Sequence, residues 1–186
     1  VTVRAATLFV ALLFSASPQE KPAPSSRPAV AASDAKQERL ARFAGKWRSE
    51  GKFFPLDGAA PMPHVTEWDN RLILGGRFLQ LDTAETIGAR RVANHGLMGY
   101  DRATRKLSWV AASDEADAFF TGEGTCDEKG ELFELRGDVP GEAGSPPIPY
   151  VLRVQMRGAD EFVWSVRFQL AGKEHLGVEA VGRRAR

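Results

Sequence analysis

The stretch LARFAGKWRSEGKFF, residues 40–54, changes its periodicity halfway along. Leu40 and Phe43 stand three apart and share one face of a short helix. Ser33 or Asp34 is placed to cap that helix, because a side-chain oxygen can accept from the free amides of a first turn. Gly45 is the expected stop, since glycine takes the left-handed end position without steric cost. Beyond it the period becomes two. Trp47, Ser49, Gly51 and Phe53 fall on one face, and Lys46, Arg48, Glu50 and Lys52 on the other. That alternation predicts a half-buried strand with its polar side to water.

Strand signals continue to the end of the chain. Ten strands are predicted, over residues 46–54, 64–74, 76–83, 91–100, 106–112, 118–126, 131–137, 149–157, 161–169 and 174–182. The links Asp101 to Thr104, Asp114 to Asp117, Asp127 to Gly130, Gly158 to Asp160 and Ala171 to Lys173 are hairpin-sized. Short links make successive strands antiparallel neighbours. Two connections, Pro55 to Pro63 and Val139 to Pro149, are longer and rich in Gly or Pro, as expected of loops at a mouth. A sheet this wide curls or closes, and closure removes its exposed edges. The predicted fold is therefore all-β: a ten-stranded antiparallel up-and-down barrel preceded by one short helix. A two-sheet sandwich is the alternative.

A helical turn followed by Gly45-Lys46-Trp47 on the first strand resembles the start of lipocalin-like (calycin) barrels. In that resemblance Trp47 plugs the closed end and an arginine near the end of the last strand stacks on it. Arg183 or Arg184 in VGRRAR could do so, and Arg183 is taken as the partner. LGGRFL at residues 74–79 and GYDRAT at residues 99–104 resemble a bacterial lipocalin-like family known as a domain of unknown function, family 1579. GKWRSEGKFFP is also similar to the start of nitrobindin-type haem barrels. The likeness runs from about Leu40 to Arg184.

Outside that span, residues 1–17 (VTVRAATLFVALLFSAS) carry Arg4, an apolar run and small residues in succession, the pattern of a secretory signal peptide. Residues 18–33 are dominated by Pro, Ala and Ser and read as a flexible linker. The barrel domain is then residues 34–186, in an exported protein, periplasmic or secreted. The apolar run is too short to span a bilayer comfortably, and no transmembrane segment is expected in the mature chain. Lys+Arg number 25 against 24 for Asp+Glu, so charge makes no case for nucleic acid or an anionic membrane. Cys126 is the only cysteine, which excludes an intrachain disulfide. No cation that would activate its thiol is evident in the sequence.

The candidate ligand wall is aromatic. Tyr150, Leu152, Val154 and Met156 share a face, as do Phe162, Trp164, Val166 and Phe168. Trp109 alternates with Leu107 and Ala111, and Trp68, Phe78 and Phe120 add rings. Trp68, Phe78, Trp109, Phe120, Tyr150, Trp164 and Phe168 are thus the predicted walls of a chamber for a small hydrophobic or amphipathic partner. In a small barrel the core and the wall are the same surface.

Catalytic chemistry is not legible. Neither GxSxG nor a P-loop occurs, and Asp114/Glu115 and Asp127/Glu128 sit where turns are expected. Gly75-Gly76 has no following helix to hold an anion and reads as a kink between strands. An enzyme whose polar groups meet only in three dimensions, an isomerase or hydrolase, stays open as a reading. His64, His95 and His175 lack metal-ligand spacing, so neither a metal nor any cofactor is expected from the residues. The nitrobindin resemblance alone implies haem, with His175 of His175-Leu176 as axial ligand and chemistry on nitric oxide or peroxynitrite. Against it, Leu176, Val178 and Ala180 form the apparent apolar face of that strand, which turns His175 outward.

Overall fold

The computed structural model describes residues 35–140 and 145–185. The expected signal peptide, linker and helix cap at Ser33 or Asp34 lie outside the described residues. A short helix, α1 (Ala35–Leu40), runs into a 3-10 turn, Ala41–Phe43. Ten strands follow: β1 (Gly45–Phe53), β2 (Met62–Ile73), β3 (Phe78–Ile87), β4 (Arg90–Asp101), β5 (Lys106–Ser113), β6 (Phe120–Cys126), β7 (Leu132–Val139), β8 (Ile148–Met156), β9 (Glu161–Leu170) and β10 (Lys173–Arg184). Each pairs antiparallel with the next, and β10 closes on β1, so the sheet is a closed up-and-down barrel. No described helix is long and apolar enough to cross a membrane, a statement that does not bear on strands.

The register sorts every strand into an inward and an outward row, because directly opposed residues of an antiparallel pair point to the same side. Starting from Trp47, the row runs through Trp68, Thr83, Asn94 and Ser113. A second row runs from Phe162 through Met156, and a third from Trp164 through Val154 to Phe133. The interior so defined is largely apolar, as removal of apolar surface from water favours.

The helix covers one end. Leu40 and Trp47 are fully buried there with Leu107, Phe133 and Leu135. Phe43 meets Phe133 edge-on at 4.9 Å, and Trp47 meets Phe162 at 5.1 Å. The Trp47 indole N–H donates to the Phe43 carbonyl at 2.9 Å. Arg39 and Arg42 fasten the lid from outside, donating to the carbonyls of Asp127 (2.6 Å) and Gly130 (2.7 Å) in the β6–β7 turn. Arg39 also reaches to 3.4 Å from the buried Cys126 sulfur. A cation therefore does stand at this thiol, contrary to the sequence expectation. Its source is long-range, 87 residues away in the chain.

Arg184 stacks on Trp47, with its guanidinium carbon 4.1 Å from the ring centroid. Arg183, the expected partner, instead pairs with Glu161 at 3.1 Å on the outer side. Parity decides this: Trp47 and Arg184 are opposed across β1 and β10, which leaves Arg183 facing out. The connection after β3 also differs from expectation. The strand continues past Thr83 to Ile87 and turns through Gly88-Ala89 alone. Of the nine links between strands, five fall at the end opposite the helix, and the two longest, after β1 and after β7, are among them.

Candidate functional site

Six of the seven predicted wall residues lie on the inward rows. Trp68 pairs with Trp47, Trp109 with Met98 and Gly122, Phe120 with Ala111, and Tyr150 with Phe168 and Gly137. Trp164 pairs with Ala180. Phe78 does not belong with them. Leu79 and Leu81 take the inward positions of β3, so Phe78 lies outside, 39% exposed, over Gly99.

The inward rings touch. Trp68 meets Trp164 edge-to-face at 5.7 Å and Phe162 at 6.0 Å. Trp109 donates to the Tyr150 hydroxyl at 2.7 Å, and that hydroxyl donates to the Thr121 carbonyl at 3.0 Å. Burial pushes the Tyr150 phenol up to about 12; the Trp109 hydrogen bond partly opposes this, and the nearby Asp138 charge adds to it. Trp68 donates to Ser49 at 3.3 Å. The aromatic belt thus carries its polar atoms inward or along the wall.

A polar cluster interrupts the belt on β2, β3 and β4. His64, 1% exposed, places Nε2 at 2.9 Å from Glu85 Oε2. The other Glu85 oxygen accepts from Asn94 Nδ2 at 2.8 Å, and the same amide lies 3.1 Å from the Thr83 hydroxyl. Thr66 stands 3.5 Å from His64 Nε2. The imidazole also meets Trp164 with ring centroids 5.6 Å apart. These residues are neighbours only because β2, β3 and β4 are in register and Gly51 on β1 presents no side chain between His64 and Ala180.

In chemical terms this is an imidazole oriented by a carboxylate, two titratable groups within hydrogen-bond reach, set in an aromatic wall. That is the arrangement of a general base or of a specific hydrogen-bonding point for a ligand. Sequence reading missed it for one reason at each residue. His64 stands far from the other histidines in sequence and so lacks metal-ligand spacing, although its alternation with Thr66 and Trp68 places it inside. Glu85 fell in a segment read as a connector.

His175 is turned inward. The β9–β10 register breaks between Leu176 and Val178, so a bulge inserts one residue. His175 is thereby opposed to Phe168, which lies on the Tyr150 row, and the expected outward orientation is reversed. The side chain is half-buried near the open end. His95 lies outside, with Nδ1 at 2.5 Å from Asp82. Gln80 and His95 together hold the Asp82 carboxyl below its usual range. Among the described residues no cluster of His, Cys, Asp and Glu could hold a metal ion. Asp114 and Asp127 accept from backbone amides of Ala93, and of Glu131 and Leu132, so these carboxylates serve turns.

An open groove of about 780 Å³ lies over β1 to β5, with Lys46, Arg48, Asp82, His95 and Asp114 along it. Its charged side chains alternate with the inward rows, and Arg48 pairs with Glu67 and His95 with Asp82 there in solvent. The inner cluster is the stronger candidate because it is centred on a fully buried imidazole, with Glu85 and Asn94 partly buried around it.

Solved structures share this barrel. Rv2717c from M. tuberculosis superposes with a TM-score of 0.65 at 17% identity, over 82% of this chain and 99% of that one. The S-type phycobiliprotein lyase CPES from Guillardia theta does so with a TM-score of 0.58 at 14% identity, over 81% and 92%. At such identities the likeness is one of fold. No curated protein sequence matches the chain. Residues 33–184 match a family model, and the chain belongs to that family, described as "Protein of unknown function (DUF1579)".

Proposed function

We propose that the protein binds a small apolar or amphipathic molecule inside its barrel. One observation carries the reading: Trp68, Trp109, Tyr150 and Trp164 line a single inward surface together with the His64–Glu85–Asn94 cluster, whose imidazole is fully buried. A wall built only for packing is served by apolar side chains, whereas this one sets a hydrogen-bonded imidazole and carboxylate beside its rings. The two long loops at the end away from the helix frame the route inward. Export belongs to this reading and rests on the leader-like residues 1–17. Native mass spectrometry of the purified protein tests binding: a retained species of small-molecule mass is expected, and a barrel filled solid by its own side chains sinks the idea. Fractionation of cells making the full chain tests export.

A second reading has an observation of its own. The bulge in β10 turns His175 to the inside, opposite Phe168, where a neutral imidazole could ligate the iron of a haem. Bound there, haem would supply an iron site for small diatomic ligands. Hemin titration decides the matter: a Soret shift lost in His175→Ala supports it, and an unchanged shift in that variant would falsify it.

A further inference from the structure

His64 and Trp164 meet inside the barrel at 5.6 Å between ring centroids, inclined by 63°. Each carries one buried polar ring atom without a partner, Nδ1 of His64 and Nε1 of Trp164. The two residues are 1% and 6% exposed. Buried polar atoms are ordinarily satisfied, so two orphans on touching rings mark a place where another group belongs.

Their chemistry says which group. A carboxylate only accepts, so the 2.9 Å contact with Glu85 puts a proton on His64 Nε2. In the neutral ring Nδ1 is then an acceptor that needs a donor. The indole N–H of Trp164 only donates. A hydroxyl answers both, since it donates and accepts at one atom. An ammonium cannot accept from the indole. A carboxylate cannot donate to Nδ1, and it would also face Glu85, the one carboxylate on the inward rows of the described strands.

Resting on the reading of the barrel as a ligand chamber, we propose that His64 and Trp164 form its head-group subsite. The ligand is an uncharged amphiphile ending in a hydroxyl, an alcohol with an apolar body. Its tail lies along the aromatic belt, and its oxygen accepts from Trp164 while its proton goes to His64.

The test uses the full chain and three probes with one tail: decanol, decanoate and decylamine, followed by tryptophan fluorescence. Decanol should bind about tenfold or more tighter than decanoate, and tighter than decylamine. Trp164→Phe keeps the ring and removes the donor, so decanol should weaken about three- to tenfold while decanoate hardly changes. The ranking on the unmutated protein needs no variant to fold. Equal affinities, decanoate or decylamine binding tightest, or a decanol affinity indifferent to Trp164→Phe would overturn the head-group assignment and leave the chamber standing. If none of the three binds and native mass spectrometry shows no retained molecule, the chamber reading fails and takes this inference with it.

Discussion

His64 Nε2 lies 2.9 Å from Glu85 Oε2 across the paired strands β2 and β3, and the imidazole is wholly buried while the carboxylate is a quarter exposed. A buried ring nitrogen that loses its partner keeps the full desolvation penalty. Glu85→Ala should therefore lower unfolding free energy by ~1–3 kcal/mol in urea titration. Glu85→Gln, whose amide oxygen can still accept, should cost less. A Glu85→Ala protein as stable as the parent would show that the contact contributes nothing.

Arg184 and Arg183 are neighbours in sequence with opposite roles. Arg184 covers Trp47 and donates to the Ala44 carbonyl at 2.8 Å, which seals the helix end. Arg184→Ala should cost ~1–3 kcal/mol through lost cation–π stacking and an unsatisfied carbonyl. Arg183→Ala removes an exposed ion pair and should stay within ~1 kcal/mol of the parent. Thermal melts of the two variants, side by side, check the assignment.

Tyr150 is held neutral by burial, with its folded pKa pushed up to about 12. In the unfolded chain a tyrosine releases its proton near the ordinary value of ~10. The folded state binds that proton more tightly, so this contribution to stability is intact below pH ~10 and is lost as pH rises from there toward 12. The near-ultraviolet phenolate signal that disappears in Tyr150→Phe should develop only as the pH approaches 12. Its appearance at the ordinary tyrosine pH in folded protein would contradict the burial argument.

Gly51 sits where β1 passes close to β10. A Cβ there would fall 2.0 Å from the Glu179 carbonyl oxygen and 2.5 Å from Ala180 Cα, both backbone atoms that cannot swing aside. Gly51→Ala should force the strands apart and cost about 1–3 kcal/mol or more, with broadened amide signals on β1 and β10. A variant with the parent's melting temperature would mean the strands yield more easily than their ladder implies.

The barrel was legible because its signals are local. The switch from helical to twofold period at Gly45, the alternating strands and the hairpin-sized links all follow from backbone geometry within a few residues. That Trp47 lies on the buried face was legible too, since the twofold period starts directly after Gly45. The errors share one origin. Phe78 was placed inside and Arg183 on Trp47 without following parity along the whole strand, and each was off by one position. His175 failed differently: its own strand counts correctly, but the bulge at Leu176–Val178 reverses the face.

Periodicity by itself determined that this chain makes ten strands with one greasy side, because side-chain direction alternates with the backbone. Only the closed sheet decided which polar residues share the interior. His64, Glu85, Asn94 and Trp164 come from four different strands, and nothing short of inter-strand register brings an imidazole, a carboxylate and an indole to one place. Register depends on where hairpins turn and where a strand bulges, and a shift of one residue exchanges the inside of the barrel for the outside.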